Sequence, residues 1–317
     1  MDPFLETTGG LWYKTLVELM DGKRIAQTIR ARIQEEVHQL KKHGIVPGLA
    51  VILVGDDPAS VSYVTGKEKA CAEIGIRSFD HRLPASTSPE SLLQLIGHLN
   101  QDPEVDGILL QLPLPKGFPE RQLLNFIDPE KDVDGFHPVN LGKLLLGEET
   151  FLPCTPHGIL KILELEGIDP AGKHAVIIGR SITVGRPLMN LLSRKGAGGN
   201  ATVTICHTGT PEVSVYTRQA DILVVAAGSP RLVQGHMVKE GVVVIDVGVN
   251  RIPDSTKKSG YRLVGDVDFD SVAPKASKIT PVPGGVGPMT ITMLLHNTVL
   301  AAKKRMSTRG FQTEGLI

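Results

Sequence analysis

Cysteine is scarce in this 317-residue sequence, which contains only Cys71, Cys154 and Cys206 and no CxxC pair. An odd number of widely separated cysteines is not the pattern of a disulfide framework or a zinc site. We therefore expect no bound metal. Glycine (34 residues) and proline (22 residues) are abundant instead. Their combined share is below that of disordered sequences, so we expect them to separate the elements of a folded protein.

An excess of charge of one sign and long apolar runs are also missing. The 34 basic and 34 acidic residues give a formal net charge of zero, which argues against nucleic acid or an anionic membrane as a partner. The longest apolar stretches, such as 222–227 and 242–245, fall far short of the roughly 18 residues that cross a bilayer. Residues 1–10 have no basic segment typical of a secretory signal. A cytoplasmic enzyme is the simplest interpretation.

Short apolar runs alternate with helical patterns from about residue 48 onward, after a charged amphipathic helix at 22–43. This alternation predicts an α/β fold with parallel sheets covered on both faces. The first series has strands at 48–54, 76–83 and 105–112 and helices at 59–74 and 88–100. A second, doubly wound series has strands at 173–179, 201–206, 221–227 and 242–247 and helices at 155–166, 184–195 and 212–219. A last helix covers 289–305. Ser88 or Thr87 is the expected N-cap of the helix at 88–100, and Thr155 that of the helix at 155–166.

The segment Gly179–Pro187 joins a predicted buried strand to a helix and is a candidate nucleotide site. A phosphate at such a turn meets unpaired backbone N–H groups and the positive helix end. The segment is not GxGxxG, so an ordinary glycine-rich turn is the alternative. The next strand ends in His207 and Thr208 without a carboxylate for a ribose 2′-hydroxyl, whereas Arg180, Ser181 and Thr208 offer groups for a 2′-phosphate. NADP is therefore expected rather than NAD, and His207 is explained as well by a surface position without a role.

Tyr63 and Lys67 stand four residues apart on a predicted helix and therefore share one face. Small and apolar residues flank them, and in such surroundings the pKa of a lysine falls toward neutrality, as acid–base catalysis requires. A solvated helix face is the alternative.

Polar residues also follow predicted strands and turns. Gln111 stands where a strand of a parallel sheet opens on a ligand crevice, although bonding to the loop backbone explains it equally well. Asp132 and Asp134 stand in a glycine turn; such acids most often form the turn, but one of them could bind an amino heterocycle. Residues 280–288 combine three prolines with three glycines, which indicates a fixed backbone close to a ligand or a structural linker.

Six motifs, in this order, resemble those of the bifunctional methylenetetrahydrofolate dehydrogenase/methenyltetrahydrofolate cyclohydrolase family. The resemblance extends from about Leu19 to Lys304, some nine-tenths of the chain. The motifs are PASxxYVxxK at 58–67, QLPLP at 111–115, DVDGFHP at 132–138, PCTP at 153–156, GRSxxVGxP at 179–187 and TPVPGGVGPMT at 280–290.

The resemblance implies roles for residues in these motifs. Lys67 is similar to the family's catalytic lysine, Gln111 to the glutamine that works with it, Tyr63 to a residue that contacts folate, and Asp134 to the acid at the pterin amino edge. The implied folate-binding set is Tyr63, Lys67, Leu110, Gln111, Leu112, Asp134, Pro283, Gly284, Gly285, Gly287, Pro288 and Thr290. The implied cofactor-binding set is Gly179, Arg180, Ser181, Gly185, Thr208 and Val249.

The family fold implies an N-terminal three-layer α/β domain, a Rossmann-type doubly wound domain and a last helix that returns to the first domain. We assign residues 14–152 and 289–306 to a folate-binding catalytic domain and 153–288 to an NADP-binding domain, and we expect 1–13 and 307–317 to be flexible. The implied activity is oxidation of 5,10-methylenetetrahydrofolate with NADP and hydrolysis of the product to 10-formyltetrahydrofolate, in one-carbon metabolism and purine biosynthesis. A cytoplasmic homodimer acting on tetrahydrofolate derivatives is implied as well.

Three alternatives remain open on the sequence. A dehydrogenase of the same two-domain plan acting on a shikimate- or malate-type substrate would need no Tyr63/Lys67 pair beside Gln111. A non-catalytic protein would bind NADP without turning over any folate. A family member with the dehydrogenase activity alone is the third, and the presence of both Lys67 and Gln111 argues against it.

Overall fold

The computed structural model describes residues 17–257 and 260–308. Ten helices and eleven strands are found in these ranges. In chain order they are β1 (Glu18–Leu19), α1 (Gly22–Lys42), β2 (Gly48–Val54), α2 (Pro58–Ile74), β3 (Arg77–Leu83), α3 (Pro89–Gln101), β4 (Gly107–Leu110), α4 (Glu120–Phe126), α5 (Pro138–Leu146), α6 (Cys154–Leu165), β5 (His174–Ile178), α7 (Gly185–Ser193), β6 (Thr202–Cys206), α8 (Val213–Thr217), β7 (Ile222–Val225), β8 (Val242–Asp246), β9 (Asn250–Pro253), β10 (Tyr261–Val264), α9 (Phe269–Val272), β11 (Ala276–Ile279) and α10 (Val286–Thr308).

The first sheet is parallel and three-stranded, in the order β3-β2-β4. All seven residues of the central strand β2 are buried, because helices cover both faces. Leu49, Val51 and Leu53 pack into the core formed with α1, α2 and α10, whereas the alternate residues of β2 pack with α3 and α4. Successive side chains of a strand point to opposite faces, so one apolar run supplies two cores. The predicted three-layer α/β arrangement is confirmed.

The second sheet is a doubly wound parallel sheet in the order β1-β11-β8-β7-β5-β6. Strand β5 has β6 on one side and β7 on the other, so the direction of winding reverses there. At such a switch point the carboxyl ends of the strands open on a crevice in which ligands bind. The Rossmann-type prediction is therefore confirmed. Numbered from β5 in chain order, the five strands β5, β6, β7, β8 and β11 follow the 2-1-3-4-5 order rather than 3-2-1-4-5-6.

The long helix α10 packs against α1 and α2, which share a core with the first sheet, and against α6. The hydroxyl of Thr292 on α10 accepts a hydrogen bond from Nε of Arg30 on α1, at 2.9 Å. The helix begins at Val286 rather than the predicted 289, because Pro288 falls in the first turn, where a missing N–H costs no hydrogen bond. It ends at Thr308, so residues 307 and 308 are helical, while the predictions for residues 1–13 and 309–317 lie outside the described residues.

Two further details differ from the sequence-based expectations. Residues Glu18–Leu19, within the segment assigned to the first domain, form β1 and pair in parallel with β11 of the second sheet. The N-cap of α6 is Pro153 and not Thr155, whose hydroxyl lies 2.9 Å from that of Thr290 on α10. Ser88, by contrast, accepts a hydrogen bond from the backbone N–H of Ser91 at 3.1 Å and is the N-cap of α3, as predicted.

Candidate active site

Lys67 lies on the buried face of α2. This face recurs every three to four residues and includes Val64 and Cys71, so helical periodicity alone carries the lysine into the interior. Only 8% of Lys67 is exposed. Burial lowers the pKa of Lys67, and the nearby Asp134 carboxylate opposes this shift. The solvated-face alternative therefore does not hold for Lys67.

Gln111 follows the buried strand β4 and faces the lysine. The Lys67 ammonium nitrogen Nζ donates a hydrogen bond to Oε1 of Gln111 at 2.9 Å. The Gln111 amide group Nε2 donates to the backbone carbonyl of Leu112 at 2.6 Å. Because that carbonyl can only accept, the amide is fixed with its oxygen toward Lys67. Gln111 thus binds the loop backbone and the lysine at once.

The two acids of the DVDG turn have different surroundings. Asp132 is buried and accepts hydrogen bonds from two backbone N–H groups and from the Asn140 side chain, so it forms the turn. Burial raises the pKa of Asp132 to about 6. Asp134 faces Lys67 instead; burial raises the pKa of Asp134, and the Lys67 charge lowers it. Of the two acids, only Asp134 is positioned to meet a ligand beside the lysine.

Lys67, Gln111 and Asp134 line a cavity of about 340 Å³, called here the lysine cavity. Tyr63, one helical turn before Lys67 and 39% exposed, stands at its mouth. Residues that follow strands of the second sheet, including Thr183 and Val249, also line this cavity. The cavity therefore joins a buried lysine to the crevice of the doubly wound sheet.

A second cavity of about 840 Å³, called here the outer cavity, adjoins the lysine cavity and shares Tyr63 and Val249 with it. The proline- and glycine-rich segment forms its wall. Gly285 is required there, because a Cβ at this position would lie 2.6 Å from the carbonyl oxygen of Pro281. Gly284 has a φ of +108°, which other residues rarely adopt.

All twelve residues of the predicted folate-binding set line one of the two cavities. Those lining the lysine cavity are Tyr63, Lys67, Leu110, Gln111, Leu112, Asp134, Gly287 and Thr290. Those lining the outer cavity are Tyr63, Pro283, Gly284, Gly285, Gly287 and Pro288.

The glycine-rich turn after β5 brings the strand and α7 into close contact. A Cβ on Gly185 would lie 2.0 Å from the carbonyl oxygen of Gly179, and a Cβ on Gly179 would lie 2.2 Å from that of Ala226. The N-cap of α7, Val184, has an apolar side chain. Within the first turn, the Arg186 N–H donates to the Ser181 carbonyl and Pro187 has no N–H. The positive end of the helix, rather than a row of unpaired N–H groups, is therefore what this turn offers a phosphate-bearing nucleotide such as NADP.

The other predicted cofactor residues lie at the same edge of the sheet. Arg180 and Ser181 are exposed in the turn after β5, and Thr208 is exposed after the neighbouring strand β6. Val249, 45% exposed, follows β8. His207 does not face the crevice as a free group, because its Nδ1 accepts the backbone N–H of Gly209 at 3.0 Å within the turn. A guanidinium and two hydroxyls thus remain as the groups that fit a ribose 2′-phosphate.

Two site residues were not assigned a role from the sequence. The Cys154 thiol lies beside Asp134. Burial raises the pKa of Asp134, and the thiol, like the Lys67 charge, opposes that rise. The PCTP motif marked this position without indicating what it does. Arg251 of the β9–β10 hairpin lines the outer cavity, with its guanidinium 4.7 Å from the centre of the Tyr261 ring. The hairpin gave no clear strand signal, so Arg251 could not be placed.

The fold and the site together define a class of protein. It is an α/β protein with two parallel sheets, in which a nucleotide crevice opens on a buried cluster of a lysine, a side-chain amide and a carboxylate. Within residues 17–257 and 260–308, no group of three or more His, Cys, Asp or Glu side chains is arranged to hold a metal ion. In the same ranges, no helix combines the length and apolarity needed to cross a membrane.

Comparison with known proteins identifies the family. Residues 20–134 match the family model described as tetrahydrofolate dehydrogenase/cyclohydrolase, catalytic domain, and residues 153–306 match that of the NAD(P)-binding domain. The "Bifunctional protein FolD" of Geobacillus thermodenitrificans is 58% identical over 90% of this chain and 98% of its own. That of Moorella thermoacetica is 56% identical over 90% of this chain and 99% of its own. This protein belongs to the tetrahydrofolate dehydrogenase/cyclohydrolase family.

Solved structures agree with this assignment. The FolD enzyme of Campylobacter jejuni is 52% identical, covers 91% of this chain and 99% of its own, and superposes with a TM-score of 0.86. The Trypanosoma brucei enzyme, solved with NADP and an inhibitor, is 40% identical, with 92% and 99% coverage and a TM-score of 0.87.

Proposed function

We propose that this protein oxidises 5,10-methylenetetrahydrofolate to 5,10-methenyltetrahydrofolate with NADP and hydrolyses that product to 10-formyltetrahydrofolate at the same site. The observation that carries the proposal is the 2.9 Å hydrogen bond between Lys67 and Gln111, inside a cavity that residues of the nucleotide crevice also line. A lysine so placed serves proton transfer, and the crevice serves redox chemistry. Shikimate- and malate-type oxidation would have no use for this pair.

The pteridine ring fits the lysine cavity, and the rest of the folate fits the outer cavity. Asp134 accepts hydrogen bonds from the amino edge of the pterin, a charge-assisted contact that fixes the ring's orientation. Tyr63, which lines both cavities, packs against the substrate where it passes from one to the other. Residues 283–288 supply a rigid wall for the part that leaves the lysine cavity.

The dehydrogenase step needs alignment more than acid–base help. The chemistry that NADP would supply here is acceptance of a hydride from the carbon that bridges the two folate nitrogens, whose lone pairs stabilise the resulting cation. Arg180, Ser181 and Thr208 bind the 2′-phosphate side of the nucleotide, and Gly179 and Gly185 allow the close backbone packing that forms the turn. The walls of the shared cavity exclude water and hold the two reacting rings in register.

The cyclohydrolase step needs a movable proton. Water adds to the cationic methenyl carbon, and its oxygen gives up both protons as the formyl C=O forms. The bond from that carbon to one folate nitrogen breaks and that nitrogen takes up one proton, so one proton is released overall. Burial lowers the pKa of Lys67, which makes the neutral amine available to accept the proton of the attacking water. Gln111 holds Nζ toward the reacting carbon.

The finer assignments follow the same proposal. Residues 14–152 with 289–306 provide the folate side and residues 153–288 the NADP side. A cytoplasmic homodimer is the proposed working form, supplying one-carbon units for uses that include purine biosynthesis. These assignments are supported by membership of the family.

The variant Lys67→Met tests the proposal. We expect methenyl-folate hydrolysis to fall by about 10²–10⁴-fold, because the proton-transferring group is lost, while methylene-folate still reduces NADP. Lys69→Met is the matched control, since Lys69 lies exposed on the same helix. Both steps can be followed in one spectrophotometric assay, as reduced cofactor and as methenyl decay.

Hydrolysis at the wild-type rate in Lys67→Met would remove Lys67 from the mechanism. A wild-type protein that reduces NADP but never consumes methenyl-folate would instead be a dehydrogenase alone, and one that binds NADP without any turnover would be a nucleotide-binding protein.

A further inference from the structure

Two buried carboxylates lie outside the lysine cavity and have no place in the steps above. Asp246 is the last residue of β8, and Asp266 follows β10; they are 4% and 0% exposed. A buried carboxylate is costly unless donors surround it. The donors that surround these two belong to the loops at the carboxyl edge of the second sheet.

The Asp266 side chain binds the loop that follows β7. Its Oδ2 accepts the backbone N–H groups of Ala227 at 2.7 Å and Gly228 at 2.8 Å. Its Oδ1 accepts the N–H of Ser229 at 2.9 Å and the side-chain amide of Asn250 at 2.8 Å. Three successive N–H groups and the first residue of β9 are therefore fixed by one side chain.

Asp246 fixes the loop that follows its own strand. Its Oδ1 accepts the N–H groups of Gly248 at 3.0 Å and Asp266 at 2.9 Å, and its Oδ2 accepts that of Val267 at 3.0 Å. The contacts leave no room for larger residues: a Cβ on Gly265 would lie 1.7 Å from Oδ2 of Asp246, and one on Gly248 would lie 2.3 Å from the Asp266 carboxyl group.

The loops held in this way border the crevice. Residues 227–229 and 247–250 follow adjacent strands, β7 and β8, on the side of the switch point where ligands of doubly wound sheets bind. Val247 and Val249 line the lysine cavity, so the same loop also faces the proposed folate position. Asp266 lines neither of the two cavities, whereas Asp246 lines the outer cavity.

We propose that Asp246 and Asp266 are positioning residues for the dehydrogenase step, which hold the loops after β7 and β8 where bound NADP meets the folate. The inference rests on the proposed function. It separates the two activities, because hydrolysis of methenyl-folate depends on Lys67 and Gln111 and needs no nucleotide. Loss of the Asp266 carboxylate, which lines neither cavity, should therefore weaken NADP binding and have little effect on hydrolysis.

The variant Asp266→Asn tests the inference. Each carboxyl oxygen of Asp266 accepts two donors, so an amide placed either way turns an NH₂ group toward two N–H donors. We expect the Kd for NADP, measured by calorimetry without folate, to rise about tenfold or more. The KM for NADP should rise and the dehydrogenase kcat should fall, while nucleotide-free hydrolysis of methenyl-folate stays within about twofold of wild type. Asp270→Asn, an exposed acid on α9, is the matched control and should change none of these quantities.

A milder variant, Asn250→Ala, removes one donor to Asp266 and should raise the Kd for NADP by a smaller factor. Because Asn250 also lines the outer cavity, this Kd is measured without folate, and it decides the matter if Asp266→Asn does not fold. A proportional loss of both activities would show that the carboxylates only support the fold and would overturn the inference. Unchanged NADP binding and dehydrogenase kinetics would overturn it too. If the wild type turns over no folate, the proposed function fails, and the effect of Asp266→Asn on the Kd for NADP still judges the positioning role.

Discussion

The hydrogen bond between Lys67 and Gln111 permits a one-atom perturbation of the proposed proton transfer. Gln111→Glu keeps the shape of the side chain but replaces a neutral amide with a carboxylate. In the present structure the amide oxygen accepts from Lys67 at 2.9 Å, and the amide nitrogen donates to the Leu112 carbonyl at 2.6 Å. The introduced group keeps the first contact, strengthens it by charge and cannot make the second while ionised.

The size of the effect follows from the distance. An opposite charge within about 4–6 Å favours the protonated lysine and shifts its pKa by about 1–3 units. The pKa of Lys67, which burial lowers in the wild type, should therefore rise again by that amount. Because the neutral amine accepts the proton, hydrolysis at neutral pH should fall by about 10- to 1000-fold. The rate of hydrolysis rises with pH as the lysine deprotonates. This rising limb of the pH–rate profile should therefore move to higher pH by the same number of units.

The assay is the initial rate of methenyl-folate hydrolysis across the pH range, compared with NADP reduction by methylene-folate. Gln122→Glu adds the same charge at an exposed position of α4 and serves as the control. A limb that stays at its wild-type pH in Gln111→Glu, or a shift to lower pH, would refute the assigned roles of both residues.

Two further predictions concern the nucleotide and the fold. Arg180→Ala should weaken NADP by about 10- to 100-fold and NAD much less, since a charge-assisted contact to the 2′-phosphate is lost; equal losses for both nucleotides, with Arg186→Ala as the control, would contradict this. Burial, and next the neighbouring His296, lowers the pKa of His157 from 6.5 to about 3, so its stability contribution is present above pH 6.5 and is lost as the pH falls toward 3. Chemical unfolding should therefore show His157→Leu gaining about 2 kcal/mol on wild type between pH 7.5 and pH 5, whereas a constant difference would contradict the shift.

Elements that are determined by residues close together in the sequence could be predicted from it. Strand β2 has the predicted bounds, Gly48–Val54, because seven consecutive residues of this run are buried and a turn follows at once at Gly55. The glycine-rich turn at Gly179 could be placed because a buried strand and a helix flank it. For the same reason, Lys67 and Gln111 could be assigned to the ends and faces of elements that meet at one crevice.

Features that depend on distant partners could not be predicted. Strand β1 has two residues and exists only because β11, about 260 residues later, offers them an edge. The choice between Asp132 and Asp134 is made by Asn140 and the backbone that follows, which occupy the first acid and leave the second for the cavity. Likewise, the donor to the Gln111 amide oxygen is a lysine 44 residues away.

The central claim is that the lysine cavity holds the pteridine with its bridging carbon in reach of Lys67, on one side of the nucleotide crevice. A crystal structure with NADP and a methylene-folate analogue tests it most directly. We expect the Nζ atom of Lys67 at about 3 Å from the position of a water that can attack the bridging carbon, and the pterin amino edge on Asp134. A pteridine bound outside this cavity, or a Lys67 side chain turned away from it into solvent, would contradict the account.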